Sequence, residues 1–314
     1  MPSSQAQPMR LTDWAQLSVL SILWGGSFFF SKLALAEIEP LTLVAVRMTL
    51  SALLLLAVVR MGGRSLPVTL RGWAPYLLLG AINNVIPQSL VFWGQTQISS
   101  SLASILQATT PLWTVLLAHL FTRDERLSAK RMIGVLAGMA GVTVIIGPDA
   151  LGGLGLNLLA QIAVVGAAMS LAAATIFGTR FRGTPPMVIA AGQITSAALL
   201  VAPLALIVER PWTRPLPGLQ TWAAVVGLVL LSTVLAYNFY FRILASAGAT
   251  NIALVTFLIP VSALLLGGQL LGERLAMRHF AGMALIGVGL AAIDGRLLRR
   301  LRPARLLAKQ ESQP

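Results

Sequence analysis

The chain has no cysteine, only two histidines and only ten acidic residues in 314. Without thiols it can form neither a disulfide nor a thiolate metal site. The histidines, His119 and His279, have no intramembrane pair of Asp residues beside them, which opposes a metal or hydrolytic centre and a membrane-embedded enzyme. The Gly-x4-Gly-Lys-Ser/Thr loop is missing, so no nucleotide drive is expected, and neither a metal nor a cofactor is implied. Polar surface is also scarce. Charged residues make up 11% of the chain and hydrophobic residues 56%, with a mean hydropathy of +0.81. A soluble domain of this size could not hide that much apolar surface, so the solvent is lipid.

What is present is a series of apolar runs. A bilayer core about 30 Å thick is crossed by roughly 17–25 helical residues. Ten runs qualify: Trp14–Ala36, Leu41–Val59, Gly72–Gln95, Ser99–Phe121, Met132–Gly147, Leu156–Thr179, Pro186–Val208, Thr221–Phe241, Ala249–Leu271 and Phe280–Ile293. Backbone amides in lipid must be satisfied within the segment, so these are helices, and a barrel's alternating short strands are absent. The fifth and tenth are short, and a miscount there would leave nine or eleven spans. The segment before Trp14 is polar, and no small-residue cleavage site follows, so the first run reads as a retained helix rather than a signal peptide.

A net charge of +13 would suggest nucleic acid in a soluble protein, but here the basic residues lie between the runs and in the tail. With the N-terminus in the cytoplasm, seventeen Lys and Arg fall inside, and only Arg210, Arg214, Arg274 and Arg278 fall outside. That asymmetry predicts an even number of spans with both termini cytoplasmic, in a bacterial inner membrane. Lys32 and Arg47 lie within helices. The basic tail, residues 296–314, serves to hold topology, and binding to anionic lipid is the alternative. The bilayer and a small-molecule substrate are the expected partners, with no nucleic acid. Oligomeric state is left open, a monomer being compatible with the pattern.

The chain repeats itself. Trp73 and Trp222, Val85 and Val234, Phe92 and Phe241, and Pro111 and Pro260 all stand 149 residues apart. At 148, Glu125-Arg126-Leu127 matches Glu273-Arg274-Leu275, Gly134 matches Gly282, Gly141 matches Gly289 and Lys32 matches Arg180. At 146, Pro40, Ala45 and Thr49 match Pro186, Ala191 and Thr195. Residues 1–150 thus form a first five-helix unit and residues 151–295 a second. An odd number of helices per unit makes the second enter from the opposite side. The predicted fold is therefore an all-α integral membrane protein of ten transmembrane helices, two inverted-topology repeats around a central cavity. Exchange of conformation between inverted repeats gives a route to alternating access.

Trp24-Gly25-Gly26-Ser27-Phe28 with Ser31-Lys32 in the first run, Arg47 in the second, and the Pro111 and Pro260 runs each followed by Glu-Arg-Leu and a Gly-rich run resemble the drug/metabolite transporter superfamily, specifically its EamA branch. The resemblance covers about Trp14 to Asp294. It implies a cavity lined by helices one, three, four, six, eight and nine, and carriage of small organic metabolites, often amino-acid export. One departure is Met169-Ser170-Leu171-Ala172, where many relatives carry Trp or Tyr, which questions an aromatic lining in the second half.

Polar side chains within spans should face protein or water. Asn83, Asn84 and Gln88 form the richest group, and Tyr237 and Asn238, with Ser232 and Thr233, form its repeat counterpart. Two such stripes at matching depth suit the amino and carboxylate groups of a zwitterion; interhelical hydrogen bonds are the alternative. Gln107 and Thr256 form a further pair, and Trp24 would stack on a substrate or pack in the core. Pro87, Pro111 and Pro260 are hinge candidates, each able to free a carbonyl one turn earlier. Lys32 would gate the outer end with Glu37 or Glu39, or lie satisfied at the interface. Arg47 pairs a substrate carboxylate or, as the preferred reading, is structural, with snorkelling towards the outer surface open to it. Glu125 and Glu273 precede helices five and ten, where the macrodipole favours a carboxylate. No acidic residue lies deep in a span, which points to facilitated exchange or weakly coupled export rather than carboxylate-centred antiport. The expected function is a secondary carrier exporting amino acids or similar metabolites. Lipophilic drugs and sugar-like compounds are the rival substrates, and a channel or structural subunit is less favoured.

Overall fold

The computed structural model describes residues 10–64, 66, 69–121, 129–146, 155–247, 252 and 254–294. Glu125, the Ala249 start expected for the ninth helix and the tail at 296–314 lie outside them. The described chain forms ten helical spans and no strand. They are α1 (Leu11–Ala34), α2 (Pro40–Met61), α3 (Leu70–Gly80 continued by Ile86–Gln97), α4 (Ser100–Gln107 and Thr110–Phe121) and α5 (Ala129–Ile146). After them come α6 (Leu156–Gly178), α7 (Pro186–Glu209), α8 (Leu219–Val229 continued by Ala236–Ala247), α9 (Val255–Leu270) and α10 (Met277–Asp294). Seven are long and apolar enough to cross a bilayer; the apolar stretches of α5, α9 and α10 are shorter. Pro40 and Pro186 each open a helix at its first position, where the missing N–H costs no hydrogen bond.

Packing pairs each helix with one from the other half: α2 with α7, α5 with α10, α1 with α8 and α9, and α6 with α3 and α4. The repeat counterparts α2 and α7, and likewise α5 and α10, run antiparallel. Glu209, the last residue of α7, receives hydrogen bonds from the first-turn amides of Leu41 and Thr42 in α2, at 2.9 and 2.7 Å. In α5 and α10 a Cβ on Gly141 would lie 2.6 Å from the Gly282 carbonyl oxygen, and one on Gly289 would lie 2.5 Å from that of Gly134. Because Gly134 corresponds to Gly282 and Gly141 to Gly289, each glycine meets the partner of its own counterpart, the self-complementary contact of a two-fold axis. Glycine lets the two backbones touch, as in close membrane-helix contacts generally.

The internal irregularities repeat as well. A wide π turn spans Ala81–Val85 in α3 and another spans Leu230–Leu235 in α8, their first residues 149 apart. Pro87 follows the first, but Ala236 holds the equivalent place after the second, so proline is not the common cause. Each turn is tied to its neighbouring helix by a serine hydroxyl: Ser170 donates to the Ile82 carbonyl, and Ser232 to that of Leu23. Pro111 lies in the first turn after the break in α4, whereas Pro260 is buried within an unbroken α9.

The glycine seam gives an internal control within one helix. Gly282→Ala should destabilise the fold by about 1–3 kcal/mol, the usual cost of overpacking. Gly287→Ala, whose new Cβ meets nothing within 4 Å, should be neutral or stabilising. Unfolding of both variants in detergent checks the contrast.

Candidate functional site

Carboxylates hold one end of the bundle together. Glu37, after α1, accepts from the Gly218 amide at 2.6 Å and the Thr221 hydroxyl at 2.9 Å, at the start of α8. Glu209 grips the start of α2 as above, with the Thr42 hydroxyl added at 2.7 Å. Glu273 accepts from the Ser100 and Ser101 amides, at 2.7 and 3.0 Å, and from the Ser101 hydroxyl. Each carboxylate thus caps a helix of the opposite half, where orphan amides and the macrodipole both favour negative charge. The sequence pattern pointed Glu273 at its own helix, α10; the geometry gives it to α4 instead, because that N-terminus is the one facing it. The loop Glu37 outside the spans has its carboxyl held below the usual range by the Gly218 amide first and then Thr221.

Of the two readings of Lys32, the geometry fits the satisfied lysine. Its ammonium donates to the backbone carbonyls of Gln95 and Ile98, at the end of α3, rather than pairing with Glu37 or Glu39. Those carbonyls are orphans of the helix end, and the macrodipole favours a cation there. Glu39 pairs with Arg214 at 2.7 Å. Beneath Lys32, Gln95 is fully buried, accepting from Ser31 at 2.6 Å and donating to the Phe28 carbonyl at 2.9 Å, which locks α1 to α3.

A cavity of about 600 Å³ lies between the halves. It extends to Pro186 and Thr175, both exposed, at the end opposite the glutamate ties. Trp24, Asn83, Asn84, Gln88, Gln107, Tyr237 and Thr256 all line it. Asn238 does not: it is exposed on the far side of α8, one residue round from Tyr237. Lys32, Pro87, Pro111 and Pro260 lie outside the lining. Helices α2 and α7 contribute too, through Arg47, Met48, Ala190 and Gln193, although the resemblance implied neither.

Of the readings open to Arg47, the geometry rules out one. The side chain does not snorkel; it is 6% exposed, lines the cavity and donates to Gln88 Oε1 at 2.9 Å and Thr233 Oγ1 at 3.4 Å. In the other half Gln193, its counterpart, donates to the hydroxyl of Tyr237 at 3.5 Å and accepts from Asn83 at 2.9 Å. Gln88 and Tyr237 are themselves counterparts, so one contact between helices occurs twice around the axis with different chemistry. The pairing of Arg47 with neutral Gln193 hid this in the sequence; its signal was a cation two turns into an apolar run. The second half does bring aromatic rings, but from α8. Tyr237 stacks on Phe241 with centroids 5.7 Å apart, and Tyr240 lies 5.7 Å from Trp24. From α6, where the resemblance put an aromatic, the lining residues are Leu171 and Thr175.

Ten spans, antiparallel mates and a seam cavity are the frame onto which the comparisons fall. The EamA-like transporter family matches twice, over residues 14–147 and 158–293. The chain belongs to that family. This transporter is 28% identical over 272 residues to the uncharacterized inner membrane transporter YedA of Escherichia coli K12, covering 86% of each chain. It is 26% identical to protein PecM of Dickeya dadantii, over 88% of this chain and 90% of that one. An uncharacterized transporter of Archaeoglobus fulgidus is 25% identical, over 89% and 98%. A solved crystal structure shares the fold with a TM-score of 0.64 at 23% identity, covering 94% of this chain and all of the other.

The two faces of α8 predict opposite outcomes for adjacent residues. Tyr237→Ala should cut transport by about tenfold or more, the loss of one ring contact and one hydrogen bond. Asn238→Ala should leave transport within about twofold, as surface changes away from a site do. Initial rates in proteoliposomes, normalised to folded protein, check both.

Proposed function

We propose that the transporter is a secondary carrier that exports small organic metabolites, amino acids foremost, across the bacterial inner membrane by alternating access. The observation that carries this reading is a cavity on the seam between antiparallel halves, lined by amides, hydroxyls and aromatic rings, reached at one end and tied shut at the other. In inverted-repeat carriers the site lies at the repeat interface, and exchange of conformations between repeats moves the opening to the other face. The distribution of basic residues supports an outward glutamate end and cytoplasmic termini. The cavity then faces the cytoplasm, the loading state of an exporter.

The lining supports a solute with separated polar groups on a modest apolar body. Amides and hydroxyls come from both halves, with aromatic rings between them. No described carboxylate lines the cavity, so the reading favours facilitated exchange over coupling through a buried acid.

The purified transporter in liposomes loaded with individual amino acids tests it. Saturable counterflow of at least one labelled amino acid is expected, lowered in Gln88→Ala without loss of folded yield. Absence of saturable exchange across the panel would retire amino acids as the substrate class.

A further inference from the structure

Arg47 is a buried cation with no counter-charge among the described residues. Charges inside a membrane bundle pair with one another or face a watery cavity, because desolvation costs several kcal/mol per ion. The guanidinium offers five N–H donors. One Nη donates to Gln88, the other to Thr233, and Nε is buried with no partner. The Phe92 ring lies 6.0 Å from Cζ, at the outer limit of a cation–π contact. All five carboxylates whose side chains are described are held at helix ends. Asp13 takes the Ser246 hydroxyl, Glu39 takes Arg214, and Glu37, Glu209 and Glu273 cap helices of the opposite half. None of them reaches Arg47.

Asn84 adds a second unmet donor to the same wall. It is 5% exposed, lies one turn before Gln88 on α3, lines the cavity, and leaves Nδ2 buried without a partner. A buried donor left unpaired is costly, and two on one cavity, one of them charged, define a site that lacks its acceptor.

We infer that Arg47 seats a carboxylate of the substrate, with Asn84 Nδ2 as the accompanying neutral donor. This deepens the carrier reading and rests on it. A carboxylate is planar, accepts through two oxygens and meets a guanidinium edge side by side, so it satisfies Nε and a free Nη hydrogen together. A primary amide of the same shape offers one acceptor oxygen and no charge, and leaves Arg47 unpaired when water is excluded. The cavity lining also includes the rings of Trp24, Tyr237, Tyr240 and Phe241, whose faces attract an ammonium without a carboxylate. The site therefore selects zwitterions and monocarboxylates over organic cations.

The test uses the full-length purified protein in detergent, with its thermal midpoint recorded against amino acids and short monocarboxylates, each paired with its own primary amide. Carboxylates should stabilise saturably, and their amides should bind about a hundredfold more weakly, the usual loss when a buried charge loses its partner. In Arg47→Gln the acid-to-amide ratio should collapse towards one, and in Arg47→Lys part of it should return. Should Arg47→Gln fail to fold, Asn84→Ala carries the test: acids weaken while amides do not. Equal stabilisation by acids and amides, an intact ratio in Arg47→Gln, no selective weakening in Asn84→Ala, or no stabilisation by any carboxylate would overturn the assignment. Acid-selective binding without liposome counterflow would retire carriage and leave the seat standing. Counterflow in which acids and amides compete equally would do the reverse.

Discussion

A polar group inside a bilayer must find its partner within the protein. That constraint organises this molecule. Arg47, Asn84, Gln193 and Thr233 avoid lipid by collecting where the two halves meet, whereas Asn238 stays exposed on α8. The bundle that results has an apolar outside and a polar seam. Because the halves are antiparallel copies, the seam is built from the same positions twice, and so are its glycine contact and its π turns. A π turn shifts the helical register by one residue; Ser170 donates to the carbonyl of Ile82 within one such turn, and Ser232 donates outward from the other to Leu23.

Duplication fixes where the site is, and divergence between the copies decides what it is. Arg47 stands opposite Gln193, Gln88 opposite Tyr237, and Asn84 opposite Thr233. The first half therefore supplies the charge and the second half the phenol rings, while amides and hydroxyls come from both. A symmetrical pair of arginines would repel across so small a space. One cation among aromatic rings makes the cavity chemically uneven, which suits a solute with two unlike ends.

Much of the fold was legible because lipid imposes simple rules. Run lengths gave ten spans, and Trp, Pro and Gly at near-constant offset gave the repeat, since such residues rarely match by chance in so apolar a chain. The polar stripe on α3 was legible for the same reason. Asn238 was misread because a stripe in sequence does not fix a helix face across a π turn, where the angular step per residue changes. Arg47 was underweighted because its counterpart is neutral, although a cation that deep already called for a cavity. The glutamate ties were hidden because helix-end neighbours are set by tertiary packing: Glu273 sits next to α10 in sequence and next to α4 in space. Helices α2 and α7 were absent from the implied lining, yet their antiparallel contact puts Arg47 and Gln193 at the seam.

The central claim is that the end closed by the glutamates must open for substrate to leave. Gln97 and Arg274 are exposed on either side of the Glu273 tie, and the chain has no other thiol to interfere. Cysteines at these two positions, joined by a cleavable bifunctional thiosulfonate in proteoliposomes, should stop counterflow, and dithiothreitol should restore it. Cross-linked transporter that exchanges substrate at the unlinked rate would contradict the account.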